Sequence, residues 1–188
     1  HKHRRRQRQM CIRDSQIQEY LKCKDDPVYF ARNYIKIISL DEGIVPFKMW
    51  DFQEELIESF HENRFNIAKL PRQTGKSTTC VSYLLHYILF NDNVNVGILA
   101  NKLSTARDLL GRLQLAYEQL PLWIQQGIVV YNKGSMELEN GSKILAASTS
   151  ASAVRGMSFN IIFLDEFAFI PNHIAVSYTH LTLPTTML

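Results

Sequence analysis

Apolar residues recur along the middle of the chain with two periods. In residues 51–63, "DFQEELIESFHEN", Phe52, Leu56, Ile57 and Phe60 fall on one face at steps of one, three and four, which predicts an amphipathic helix. Residues 65–71, "FNIAKLP", read as a short buried strand. Residues 77–90 are apolar on nearly every side, as in a helix buried between layers, and "VNVGILA" (94–100) reads as a second buried strand. Leu103, Ala106, Leu110, Leu113, Tyr117 and Leu120 then mark a third helix. In "SMELENGSKILAAS", Asn140-Gly141 sits between alternating runs and predicts a two-residue hairpin turn. "NIIFLDE" (160–166) is a further buried strand. Strands alternating with helices predict an α/β fold, a mostly parallel sheet with helices on both faces. Such sheets bind ligands at the carboxyl ends of their strands.

Composition narrows the class. With 188 residues, 46% hydrophobic and 21% charged, the chain has the make-up of one ordinary globular domain. The net charge of +3 is uneven. Residues 1–15 hold six Lys/Arg and one acid, leaving 15 bases against 17 acids in the other 173, so the body gives no charge argument for coating nucleic acid. The basic start reads as a solvated tail or, alternatively, a nucleic-acid arm. Three scattered cysteines, Cys11, Cys23 and Cys80, point to a reducing compartment rather than a disulfide or zinc framework. The most apolar run, residues 80–90, is too short to span a bilayer, and no signal-peptide pattern opens the chain. "MCIRDS" and "VSYTHLTLPTT" resemble translated sequencing-adapter read-through. The expected organisation is therefore a non-native-looking tail over 1–14, a partial domain over 15–175, and a second such tail over 176–188.

The candidate chemistry centres on "KLPRQTGKSTTC" (69–80). Gly75-Lys76-Ser77 is the end of a phosphate-binding loop, here between an expected strand and an expected helix, although Leu70 stands where the usual motif has glycine. Gly75 allows close approach of the backbone to phosphate oxygens. The amides of Arg72, Gln73 and Thr74 in the turn, and of Gly75 through Thr78 at the helix start, can donate to an anion. Lys76 can reach terminal phosphates, and the Ser77 hydroxyl can join a Mg²⁺ shell. Downstream, Asp165 ends an apolar strand and Glu166 follows it, a pairing suited to holding Mg²⁺ and activating water. Read singly, each feature also fits a chance match or a solvated acidic strand end.

Together these residues resemble the ATPase half of the large terminase subunit of tailed bacteriophages, the contractile-tailed type in particular. The matching pieces are "PFKMWDFQEELIESF", "KLPRQTGKST", "NVGILANK" and "YNKGSMELENGSKILAASTSASAVRGMSFNIIFLDEFAFIPN", spread over residues 44–174. The resemblance implies a P-loop NTPase of the additional-strand catalytic-glutamate type, using ATP and Mg²⁺. It implies that Arg72 acts in cis on the phosphates, a task suited to a planar, always-charged guanidinium. It implies that Gln53 reads adenine, the alternative being a surface glutamine. Arg155 and Gly156 match a family segment near the site, the alternative being a structural loop. Double-stranded DNA, a portal protein, a small terminase subunit, a homo-oligomeric ring and the cytoplasm of the infected bacterium are implied in the same way; a membrane is not. The family's coupling motif and nuclease domain have no counterpart here, so a sheet truncated at its C-terminal end is expected. A helicase-type translocase and a nucleotide-binding module without hydrolysis are the alternatives. Dispersed histidines give no support to other metal chemistry.

Overall fold

A computed structural model describes residues 14–39, 43–149 and 157–165. Two helices open it, α1 (Asp14–Asp25) and α2 (Pro27–Tyr34), followed by an antiparallel hairpin of β1 (Lys36–Ser39) and β2 (Gly43–Pro46). Asp26 caps α2 by accepting from the Tyr29 amide at 2.8 Å, and Pro27 occupies the first turn, where its missing N–H costs nothing. Glu19 of α1 accepts from both Tyr29 and Tyr34 hydroxyls, at 2.6 and 2.8 Å, which ties the two helices together and lowers the Glu19 pKa.

Helices α3 (Asp51–Glu62), α4 (Lys76–Phe90) and α5 (Leu103–Glu118) match the periodicities of the sequence. Ile57 and Phe60 of α3 are buried, with Phe52 and Leu56 at its margin. In α4 the entire run from Thr79 to His86 is buried, which explains its lack of a polar face.

The main sheet contains β3 (Asn95–Ala100), β4 (Ile128–Tyr131), β5 (Ser135–Leu138), β6 (Lys143–Ser148) and β7 (Ile161–Leu164), in the order β4-β5-β6-β3-β7. β3 runs parallel to both β6 and β7, while β5 is antiparallel to its two neighbours, so the sheet is mixed around a parallel centre. A turn joins β5 to β6 where expected but is longer than two residues: the Gly141 amide donates to the Leu138 carbonyl at 3.0 Å and the Leu138 amide to the Ser142 carbonyl at 2.9 Å, so Glu139, Asn140 and Gly141 make the loop, with only Gly141 left-handed at φ +80.

The two faces of the sheet are distinct. Val96, Ile98, Ala100, Ile144, Ala146, Ile161 and Phe163 join one large cluster with the buried residues of all five helices. Leu99, Ala147, Ile162 and Leu164 form a second cluster with Phe159. Among the described residues, then, helices share a core with one face of the sheet. β7 is held at its entry by an asparagine pair. The Asn95 amide donates to Asn160 Oδ1 at 2.8 Å, the Asn160 amide donates to the Asn95 carbonyl at 2.8 Å, and Asn95 Nδ2 reaches the Ser158 carbonyl at 3.2 Å.

One expectation fails. Residues 65–71 form no strand; Phe65 is exposed and Ile67 is 93% exposed. An apolar run becomes a buried strand only where another strand pairs with it. Among the described residues none does, and β7 has β3 on one side only.

Candidate functional site

The loop between residue 71 and α4 is shaped by two left-handed residues. Gln73 has φ 65 and Gly75 has φ 72, with Thr74 between them. Alternating backbone of this kind turns successive amides toward one concavity, the geometry that binds anions. The left-handed region suits Gly75 and costs Gln73, a non-glycine, about 1–3 kcal/mol. Thr74 Oγ1 closes the turn by donating to the Pro71 carbonyl at 3.0 Å.

Gly75 is the N-cap of α4 and has no side chain to cap it. Helices usually place Ser, Thr, Asp or Asn there to accept from the first free amides. Here no side-chain cap and no acid in the first turn compete for those donors, which leaves them and the positive helix end to an incoming anion. The first turn is anchored from below. The Thr79 amide and hydroxyl both donate to the Gly75 carbonyl, at 3.0 and 3.2 Å, and Thr79 is fully buried.

Lys76 and Asp165 meet. Lys76 Nζ lies 3.7 Å from Asp165 Oδ1, so the start of α4 and the end of β7 face one another. Asp165 is buried and its amide donates to the Leu99 carbonyl at 2.9 Å, which continues the β3–β7 ladder to the acid itself. Cys80, one turn deeper in α4, is raised to about 12 by burial and then by the Asp165 charge, so its thiol stays protonated and unreactive. Cys23 is likewise buried, free and raised to about 12.

The donor set suits Mg²⁺: a carboxylate, Asp165, and a hydroxyl, Ser77 in the first turn of α4, are hard oxygens, and this ion keeps several waters of its own. No cluster of three or more His, Cys, Asp or Glu occurs among the described residues.

The structure brings Gln53, Thr74, Gly75, Lys76 and Asp165 into a connected group. Arg72 and Gln73 are exposed in the turn, and Ser77 and Thr78 are half-buried at the start of α4. Glu166, Arg155 and Gly156 lie outside the described residues. Sequence reasoning did not foresee the partners that the Gln53 side chain finds within the protein. Its Nε2 donates to the Thr74 carbonyl at 2.8 Å and its Oε1 accepts from the Trp50 amide at 3.0 Å. The clue was its place at the third position of a helix, where Gln commonly folds back onto the N-cap amide.

No helix among the described residues is long and apolar enough to cross a membrane. By fold, the chain is similar to the HK97 bacteriophage large terminase, with TM-score 0.71 and 16% identity over 87% of this chain and 36% of that one. It is also similar to the Thermus phage P74-26 large terminase ATPase domain. A mutant form of that domain gives TM-score 0.62, and a second structure of it 0.58. Both are 17% identical over 75% of this chain and 64% of that one. The chain thus spans about a third of the HK97 protein and under two thirds of the P74-26 domain. The family described as terminase large subunit, T4likevirus-type, N-terminal, matches residues 67–177, from just before the phosphate loop to past the acidic strand, and the chain belongs to that family.

Proposed function

We propose that this chain is the ATP-hydrolysing motor domain of a phage terminase large subunit, which drives double-stranded DNA into a procapsid. The observation that carries the reading is the 3.7 Å approach of Lys76 to Asp165, because it joins an anion-binding helix start to a buried carboxylate. In this reading the amides from Arg72 to Thr78 cradle the phosphates, and Lys76 exchanges its contact with Asp165 for one with the terminal phosphates. Ser77 and Asp165 would hold Mg²⁺, which neutralises charge on the phosphate oxygens when bound. Glu166 takes the proton of the attacking water, and Arg72 stabilises charge that grows on the phosphates. The working assembly is a homo-oligomeric ring acting with a portal protein and a small terminase subunit in the infected cell's cytoplasm.

The test is Lys76→Ala in the full chain, with Mg-ATP binding followed by calorimetry. Loss of binding is expected, because the charge facing the terminal phosphates is gone. Equal affinities in wild type and variant would sink the assignment.

A further inference from the structure

The C-terminal end of α4 is held by the β5–β6 turn. A helix leaves its last carbonyls without partners inside the helix. Asn140 Nδ2 donates to two carbonyls there, Ile88 at 2.9 Å and Asn91 at 3.0 Å, which uses both hydrogens of its amide. Its Oδ1 accepts from the Ser142 amide at 3.0 Å, and Ser142 Oγ donates to the Asn91 carbonyl at 2.6 Å. The turn and the helix end are thus one hydrogen-bonded unit. Asn140 precedes Gly141, the one Asn-Gly pair in the chain. Asparagine is thermolabile, and a following glycine, having no Cβ, gives its backbone nitrogen the freest approach to the side-chain carbonyl carbon. The fold cannot dispense with this glycine: it takes φ +80, and a Cβ would collide with Asn93 Oδ1.

We propose that Asn140 is a site of spontaneous deamidation that the fold guards, and that its conversion releases α4 from the β5–β6 turn. In the reaction the Gly141 nitrogen loses its proton and bonds to Asn140 Cγ, the Cγ–Nδ2 bond breaks, and ammonia leaves carrying a proton in its place. Water opens the resulting five-membered imide at either carbonyl, giving aspartate or isoaspartate. One water is consumed, one ammonia is released, and nothing is oxidised or reduced. In the closed turn both reacting groups are occupied. The Gly141 amide donates to the Leu138 carbonyl at 3.0 Å, and the Asn140 carboxamide is held at both ends. Attack therefore waits for the turn to open locally. Asn140 and Gly141 are only half-buried, so water reaches them once it does. The product cannot close the clamp again. A carboxylate has no hydrogen to donate, and it sets negative charge against the Ile88 and Asn91 carbonyls at the negative end of the α4 dipole.

The experiment incubates the full chain in one mildly alkaline buffer, folded and unfolded in guanidinium chloride, and follows the peptide containing Asn140 by mass spectrometry as its amide becomes an acid. Unfolded protein should convert here ahead of its other asparagines. Folded protein should convert at least about tenfold more slowly, the factor that one closing hydrogen bond supplies. Ser142→Ala removes the bond to the Asn91 carbonyl and leaves the reacting pair intact, so its folded rate should rise about threefold or more while its unfolded rate matches wild type. No conversion in the unfolded chain would overturn the site. Equal rates in folded and unfolded wild type, or a folded Ser142→Ala no faster than wild type, would overturn the guard. The clamp is read by thermal melting. Asn140→Asp should melt about 3 °C or more below wild type, with Asn140→Ala, which loses the donor without adding charge, between the two. Either variant melting with wild type would overturn the release of α4.

Discussion

Acidification should loosen this domain at one identifiable histidine. His86 lies in the middle of α4, 3% exposed, with its ring against Phe30 and Phe90 at centroid distances of 5.5 and 4.9 Å. Its Nε2 donates to the Cys23 carbonyl at 2.8 Å, which joins the N-terminal helices to α4. Burial lowers its pKa from 6.5 to about 4, against the raising effect of that backbone contact. Between those two values the unfolded chain binds a proton that the folded chain refuses. The stability associated with neutral His86 is therefore complete above pH 6.5 and drains away as pH falls toward 4. A shift of this size corresponds to about 3 kcal/mol in full, of which about 2 kcal/mol is gone at pH 5. That is a large share of the 5–15 kcal/mol typical of a domain. The assay is urea unfolding of wild type and His86→Gln from pH 7.5 to 4.5. Gln can still donate to the Cys23 carbonyl but does not titrate, and the carboxylates common to both proteins cancel in the difference. Wild type should lose about 2 kcal/mol more than His86→Gln between pH 7 and pH 5. Parallel curves would refute a neutral, desolvated His86.

The remaining predictions concern the candidate site in the full chain with its oligomeric partners. Arg72→Ala should lower turnover by about two orders of magnitude or more while changing ATP affinity little, because the interaction strengthens in the transition state. Arg72→Lys should rescue poorly, and steady-state kinetics unchanged within about twofold would remove its catalytic role. Asp165→Asn should weaken Mg²⁺-dependent ATP binding, seen in a Mg²⁺ titration, whereas Glu166→Gln should preserve binding and abolish most turnover. The same binding loss and residual turnover in both would show that the two carboxylates do not divide the work.

Where the chain's pattern was strong, it was enough. The all-apolar α4, the stepped face of α5 and the Asn140-Gly141 turn follow from local sequence, because each buries or bends in a way few other conformations allow. The first two helices and the β1–β2 hairpin do not stand out in the sequence, since α2 and both strands are too short for a period to show and the two helices pack on distant partners such as Phe90 and His86. Residues 65–71 misled for the opposite reason: their composition suits a strand, but strand formation is decided by a neighbour the segment itself cannot specify. At the site, Gly75, Lys76 and Asp165 were legible as a motif, and their meeting follows from the parallel β3–β7 pairing. The two protein partners of the buried Gln53 amide were not, because in sequence it looks like any polar helix residue.

The asparagine pair at the entry to β7 decides more than a loop. Ile161 through Leu164 are buried on both faces, so sliding this strand by one residue would exchange one apolar set for another at little hydrophobic cost. Oil alone does not choose between the two alignments. Asn95 and Asn160 do, because their reciprocal bonds close at a single offset. Asp165 stands five residues on, roughly 17 Å at the rise of an extended chain. A slip there would swing the carboxylate to the opposite side of the sheet, away from Lys76. The aim of the acid is thus set at the far end of the strand, by two neutral side chains that touch no part of the site.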